Sequence, residues 1–391
     1  MSVSELRELE SRWVMPTYKR AAVEFVRGRG ARLWDADGKE YLDFFAGLGV
    51  MNAGHCHPHI TEAIREQARA LVGVSNLFYS EPGLSLAERL SESSLDGRVF
   101  LCNSGAEANE CAIKLARRQA RARGVERPEI IVLDGAFHGR TVATLTASPK
   151  IARDDLFGPL LPGFVTVPRD DPAALEAAVG ESTAAVLIEP IQGEAGVHAI
   201  PEPVVAAARA ACDASGALLV LDEIQTGMGR TGSLWAWQQG PARPDVMTAA
   251  KALGGGLPVG ACVTARELEV TLEAGEHGST FAGAPLASRA ALSVLEVIDD
   301  PALLRRVREL GTRLADGLES LDGVEEVRGR GLMVGAGLVE GVDAAEIGSR
   351  TLEAGLVINV PAPRTLRFLP PLVIDEAEID EALEILSRCV R

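Results

Sequence analysis

The sequence predicts an α/β protein, a large domain on a mostly parallel seven-stranded sheet followed by a smaller α+β domain. Three observations predict this. Seven short aliphatic runs lie between residues 98 and 263, and they are continuous rather than alternating, which marks strands buried on both faces. Helical stretches at 105–121 and 203–215 separate some of them, as when crossover helices cover a parallel sheet. After about residue 284 the pattern changes to long amphipathic helices and closely spaced short strands.

Taken in order, the opening "MSVSELRELESRW" is charged and helix-like, with no apolar h-region of a secretory signal. Residues 1–60 are expected to pack with the smaller domain, 61–283 to form the large one and 284–391 the smaller one. The predicted large-domain strands are "RVFLC" (98–102), "EIIVL" (129–133), "GFVTV" (163–167), "AAVLI" (184–188), "ALLVLD" (217–222), "DVMTA" (245–249) and "VGACV" (259–263). Helices at about 285–299 and 301–320 then lead into "VEEVRG", "GLMVGAGLV", "GLVINV" and "TLRFLPPLVI", and a last helix covers roughly 376–390.

Bulk properties exclude several function classes. The chain has 391 residues and a formal net charge of −16, which argues against nucleic acid or an anionic membrane as partner, because phosphate binding needs a basic surface. No apolar run is long enough to span a bilayer. The six cysteines form no CxxC pair and lie mostly in apolar company, which fits buried thiols and a cytoplasmic location. No lysine is followed by Ser or Thr, so a phosphate loop of the Walker type is missing. "GRGLMVG" (329–335) has Val334 where a dinucleotide fingerprint needs its third glycine.

Several stretches offer chemistry. In "CNSGAEANE", Ser104 is an N-cap and Glu107 completes a capping box, while small Gly105 and Ala106 leave the helix-start N–H groups accessible. This reads as an ordinary capped helix or as an anion site. Asp222 closes a buried strand, where it either caps the next loop or meets a ligand beyond the strand end; Glu189 stands in the same position on another strand. "AFHGRT" sets Phe137, an imidazole and Arg140 close together, and "HCHPH" (55–59) reads as a turn with structural histidines rather than a metal site, since its spacing is not helical. "STF" (279–281) and "LRFLPPL" (366–372) look like loop edges, and the charge of Arg367 among apolar neighbours is expected to meet an anion or a carboxylate.

Only five of the 39 basic residues are lysine, and one of them, Lys251, follows the strand "DVMTAA" in a stretch of small residues. It is a snorkelling surface lysine, or an amine that desolvation turns into a nucleophile toward an aldehyde. Together the features fit one ligand: a phosphate at Ser104, Gly105 and Ala106, a flat ring on Phe137, a basic ring nitrogen at Asp222 and an aldehyde at Lys251. That ligand is pyridoxal 5′-phosphate.

On "NSGAEANE", "FHGRT", "IEPIQGE", "LDEIQTGMGRTG", "KALGGGLPVGA" and "GSTFAGAPLA", the chain resembles the class III aminotransferases of the ornithine and acetylornithine family, with PLP fold type I. The resemblance implies that Lys251 bonds the cofactor aldehyde and then moves a proton, Asp222 pairs with the ring nitrogen, Gln225 bonds the ring hydroxyl and Phe137 stacks on the ring. It implies a homodimer in which Thr280 completes the neighbouring subunit's phosphate site. It places Arg140 and Arg367 on the two carboxylates of glutamate, Glu194 on Arg367 when the other donor is bound, and Tyr18 beside the substrate. Leu48 stands where ornithine enzymes resemble one another in carrying an aromatic residue. The implied reaction is therefore transfer of the terminal amine of N2-acetyl-L-ornithine to 2-oxoglutarate. Ornithine, succinyldiaminopimelate, 4-aminobutyrate or carrier-linked lysine are alternative donors; a racemase, a mutase or an inactive binding homologue are alternative classes. Ala282 and Ala284 depart from the family's usual Gly and Asn.

Overall fold

The structure is a computed structural model describing residues 1–268 and 272–390. Its central element is a seven-stranded sheet. The strands, numbered along the chain, begin with β1 (Phe25–Arg29), β2 (Arg32–Asp35) and β3 (Glu40–Asp43), which lie outside this sheet. Those that build it are β4 (Asp96–Cys102), β5 (Glu129–Leu133), β6 (Phe164–Val167), β7 (Thr183–Ile188), β10 (Leu218–Asp222), β11 (Val246–Ala249) and β12 (Gly260–Ala265). The spatial order is β4-β12-β11-β10-β7-β5-β6. The four pairs from β11 to β6 are parallel, while β12 runs antiparallel to both β11 and β4. Strand β4 therefore points the same way as the other five, and the carboxyl ends of six strands share one edge.

The interior strands are buried along their whole length, which is why they read as unbroken aliphatic runs. Strand β4 lies at the edge and is only partly buried. The helix Gly105–Ala122 covers one face with Ala108, Cys111, Ala112, Leu115, Ala116 and Ala120, spaced at three and four residues. The helix Glu202–Ser215 closes the other face through Val204, Val205, Ala208 and Cys212, and ends at Gly216 in the left-handed region.

The C-terminal part holds β13 (Val324–Arg330), β14 (Met333–Leu338), β15 (Leu356–Val357), β16 (Asn359–Ala362) and β17 (Thr365–Phe368). An antiparallel sheet of order β13-β14-β17-β16 packs under the helices Pro301–Glu319, Ala344–Glu353 and Glu376–Cys389. Strand β15 pairs in parallel with β3, so the chain's beginning and its last third share the sheet β1-β2-β3-β15. The helix Pro285–Ile298 packs on the helices Pro58–Ala70 and Glu81–Glu92. "LRFLPPL", read as a loop edge, begins inside β17: Thr365, Leu366, Arg367 and Phe368 are all buried, and Arg367 pairs with Gly335 and Asn359 across the sheet. Among the described residues, no helix is long and apolar enough to cross a membrane.

Candidate active site

A cavity of about 460 Å³ opens at the shared carboxyl edge of the sheet. Its wall includes Ser104, Gly105 and Ala106 just past β4, Phe137 and Arg140 past β5, Glu189 past β7, Asp222 at the end of β10 and Lys251 past β11. Residues up to 147 positions apart in the chain thus meet because their strands run in one direction. Ligand pockets of open α/β sheets form at such an edge.

The helix start at Gly105 is capped by Ser104 Oγ, which accepts from Glu107 N at 3.2 Å. The predicted reciprocal bond is replaced. The Glu107 carboxylate reaches one residue further back and accepts from Asn103 N and Nδ2, both at 2.8 Å. The N–H groups at the helix start are left facing the cavity, where the helix's positive end favours an anion. Gly105 is required by packing as well, since a Cβ there would lie 2.7 Å from Ile224 Cδ1.

Asp222 is 3% exposed and held by three contacts. Its Oδ2 accepts from Asn109 Nδ2 at 2.8 Å and meets His138 Nδ1 at 2.8 Å; its Oδ1 accepts from Ile224 N at 3.0 Å. Asn109 is itself fixed by Thr248 Oγ1, which donates to Asn109 Oδ1 at 2.8 Å. Burial opposes a charge on His138, but the bond to Asp222 and its negative charge outweigh burial and raise the imidazole above its ordinary value. The result is a carboxylate of fixed orientation with an imidazole held directly against it. Glu189 accepts from Phe137 N at 2.9 Å and holds the backbone that presents the Phe137 ring; burial pushes its carboxyl upward.

Lys251 sits at φ +45°, an uncommon conformation for a residue with a side chain, and opens a short 3₁₀ turn. Burial lowers its ammonium below the ordinary lysine value; Arg367 pushes the same way, while Glu194, Asp222 and Glu189 oppose it. The amine is therefore nearer to its neutral, nucleophilic form than a surface lysine.

Arg367 is 1% exposed. Its Nη1 donates to Glu194 Oε1 at 2.7 Å and to Gln225 Oε1 at 3.2 Å, and its Nε and Nη2 donate to Asn359 Oδ1 at 3.0 and 2.7 Å. Position 193 must be glycine for this arrangement, because a Cβ there would fall 1.6 Å from Gln225 Oε1. The Arg367 charge holds the Glu194 carboxyl below its usual range against the effect of burial. Arg140 stands at the cavity rim, its guanidinium 5.8 Å from the centre of the Phe137 ring.

Glu194 and Arg367 stand behind this wall, joined to it through Gln225, and Tyr18, Thr280 and Leu48 also lie outside it. Tyr18 is exposed, with Arg20 over its ring. Thr280 is exposed beside Ser279, whose Oγ accepts from Asn103 Nδ2 at 2.8 Å. Leu48 belongs to a turn in which Ala46, Gly47, Leu48 and Gly49 all have positive φ, and Val50 rather than Leu48 lines the cavity. Asp43 supports that turn, accepting from Phe45 N at 2.9 Å and Ala46 N at 2.8 Å, and its other oxygen meets His55 Nε2 at 2.6 Å. Ala284 precedes the helix Pro285–Ile298 with no side-chain cap, where Asn would supply one.

Sequence reading missed Asn109 and Thr248, and it noted the imidazole of His138 without giving it a role. Asn109 is a polar residue on the buried face of the helix Gly105–Ala122, which is a legible signal once the helix phase is fixed. Thr248 looks like any β-branched strand residue, and nothing local marks it.

The donor set tests directly against a cofactor. A helix N-terminus, an aromatic ring, a buried oriented carboxylate and a desolvated primary amine line one cavity. They match the phosphate, ring, ring nitrogen and aldehyde of pyridoxal 5′-phosphate, so the residues present fit that group.

Comparison with known proteins agrees. The aminotransferase class-III profile matches residues 14–390. The chain is 45% identical to the acetylornithine aminotransferase of Methanocaldococcus jannaschii over 99% of this chain and 98% of that protein. It superposes on the ornithine aminotransferase of Toxoplasma gondii, described with PLP at partial occupancy in its active site, at TM-score 0.93 and 33% identity, covering 99% and 94% of the two chains. It also superposes on the N-acetylornithine aminotransferase of Stenotrophomonas maltophilia at TM-score 0.83 and 38% identity, covering 98% of each.

Proposed function

The chain belongs to the class-III aminotransferases, and on that premise we propose that it moves the terminal amine of N2-acetyl-L-ornithine to 2-oxoglutarate. The products are N-acetylglutamate 5-semialdehyde and glutamate, a step of arginine biosynthesis. The observation that carries the reading is the single cavity in which Lys251, Asp222 and the helix start at Gly105 converge, in a chain so similar to acetylornithine aminotransferases.

Pyridoxal phosphate supplies an aldehyde that bonds amines and a protonated ring that draws electrons from the neighbouring carbon. The protein supplies the rest. The N–H groups past Ser104 hold the phosphate, Phe137 covers the ring face, and Asp222, oriented by His138 and Asn109, keeps the ring nitrogen protonated. Gln225, on the cavity wall, would bond the ring hydroxyl. Lys251 Nζ would hold the cofactor through its aldehyde, and as a free amine it would take the proton from the substrate carbon that bears the amine. Burial, which lowers its pKa, favours the neutral amine that this task needs.

Arg140 and Arg367 bind the two carboxylates of glutamate and of 2-oxoglutarate. Acetylornithine offers a plain methylene chain beside Arg367, so Glu194 stays on the guanidinium and prevents an unpaired buried charge. The active assembly is a homodimer. Leu77, Phe78, Tyr79 and Phe281 are exposed around Thr280, an apolar patch of the kind a partner covers, and Thr280 then completes the partner's phosphate site. Six free cysteines fit a cytoplasmic setting.

Purified protein is expected to be yellow. Its visible band should shift on addition of acetylornithine and return with 2-oxoglutarate, and borohydride should fix a pyridoxyl group on Lys251 detectable by peptide mass. A donor panel decides the substrate: higher kcat/KM on free ornithine than on acetylornithine refutes the choice.

A further inference from the structure

The Glu194–Arg367 pair is held from behind by a second arginine. Glu194 lies in the turn between β8 (Ile191–Gln192) and β9 (His198–Ala199). This turn presses on the C-terminal sheet at Gly335. A Cβ on Gly335 would lie 2.9 Å from both Gly196 O and Val197 Cβ. Gly335 is paired with Arg367 on one side and with Arg328 on the other. The turn thus rests over a glycine flanked by two guanidinium groups.

Each guanidinium grips one end of the turn. Arg367 Nη1 donates to Glu194 Oε1 at 2.7 Å. Arg328 Nε donates to Gly196 O at 2.7 Å, and its Nη2 donates to Thr365 Oγ1 at 3.2 Å, two residues before Arg367 on β17. The Arg328 side chain is 15% exposed and also pairs with Glu326. A small apolar cluster of Ile191, Val197, Met333 and Leu369 seats the same turn.

We propose that Arg328 is a positioning residue that sets how readily Glu194 leaves Arg367, and so the balance between the two substrates. The inference rests on the carboxylate switch described under Proposed function. Glu194 competes with an incoming carboxylate for Arg367, and anchoring its backbone raises its effective concentration there. Loosening the anchor favours the open state, which tightens a dicarboxylate. It also leaves Arg367 unpaired when the amine donor is bound, which slows that half-reaction. A purely structural residue moves both the same way.

The test uses holoenzyme and glutarate, an unreactive dicarboxylate, with titration calorimetry and separate kcat/KM values for acetylornithine. Arg328→Ala is expected to lower the glutarate Kd by about three- to tenfold and to lower kcat/KM for acetylornithine by a similar factor, the range that the net worth of one ordinary hydrogen bond spans. Arg328→Lys, which keeps the stem but reaches fewer acceptors, is expected to fall between and remains informative if the alanine variant does not fold. Glutarate binding and donor kcat/KM that fall together, or neither changing, overturns the inference. Glu194→Gln separates the two layers. If it tightens glutarate while neither Arg328 variant does, only the role of Arg328 is lost. If it leaves glutarate binding unchanged, the switch itself is wrong.

Discussion

Gly105→Ala isolates the packing at the phosphate end of the cavity. The added methyl group would lie 2.7, 3.0 and 3.1 Å from Ile224 Cδ1, Cγ2 and Cγ1. Ordinary carbon contacts are about 3.5–4.0 Å. Three atoms on two branches are involved, so no single torsion relieves them and the whole side chain must shift. Overpacking of this kind costs about 1–3 kcal/mol. Alanine returns up to about 1 kcal/mol through helix propensity, which leaves a loss of global stability of about 0–2 kcal/mol. The strain also reaches cofactor affinity, because Ile224 N donates to Asp222 Oδ1 at 3.0 Å and a displaced Ile224 disturbs the carboxylate that would meet the ring nitrogen. A loss of about 5- to 150-fold follows from 1–3 kcal/mol. The assay is equilibrium titration of apoenzyme with pyridoxal phosphate, read by absorbance. Ile224→Val removes the nearest atom, Cδ1, and in the double variant most of the affinity should return. Unchanged affinity in Gly105→Ala, or a loss that Ile224→Val does not relieve, refutes the reasoning.

Lys251→Ala should cut turnover by at least about 10²- to 10⁴-fold with circular dichroism unchanged; normal turnover removes the assigned proton carrier. Arg367→Ala should raise the KM for glutamate at least about tenfold more than that for acetylornithine; equal changes defeat the two-substrate switch. Glu223 is buried, accepts from Thr226 Oγ1 at 2.6 Å and Trp237 N at 2.7 Å, and burial pushes its carboxyl up to about 7 from an ordinary 4.5. The native state then holds a proton that the unfolded state has lost, so this group's contribution falls as pH rises from 4.5 to 7 and is constant above. Glu223→Gln should therefore gain on the parent across that window by about 2–3 kcal/mol in denaturant unfolding at pH 8 compared with pH 5; a pH-independent difference contradicts it.

Much of the fold was legible because burial leaves a local mark. Each of the seven predicted runs coincides with a strand to within two residues at either end, and the helices at 105 and 203 begin within one residue of their predicted starts. The cofactor residues were legible for a related reason. A lysine in a small-residue stretch and an aspartate closing an aliphatic strand conflict with local preference, and such conflicts gather at sites of chemistry. Arg367 was legible as a charge needing a partner, but its strand was not, because two prolines after it mimic a loop. The Glu107 bond to Asn103 was misread because capping geometry depends on backbone angles that a motif does not specify.

The sequence by itself determined which segments are strands and helices, which side chains carry chemistry, and which cofactor that chemistry fits. Tertiary structure decided which of them meet. Strand order is set by long-range pairing, and an aliphatic run reads the same at an edge as in the centre. Only the order β4-β12-β11-β10-β7-β5-β6 puts Ser104, Phe137, Asp222 and Lys251 around one cavity. The partners that tune them, Asn109 and His138 on Asp222 and Arg328 behind Glu194, come from distant segments, and distance along the chain carries no trace of distance in space.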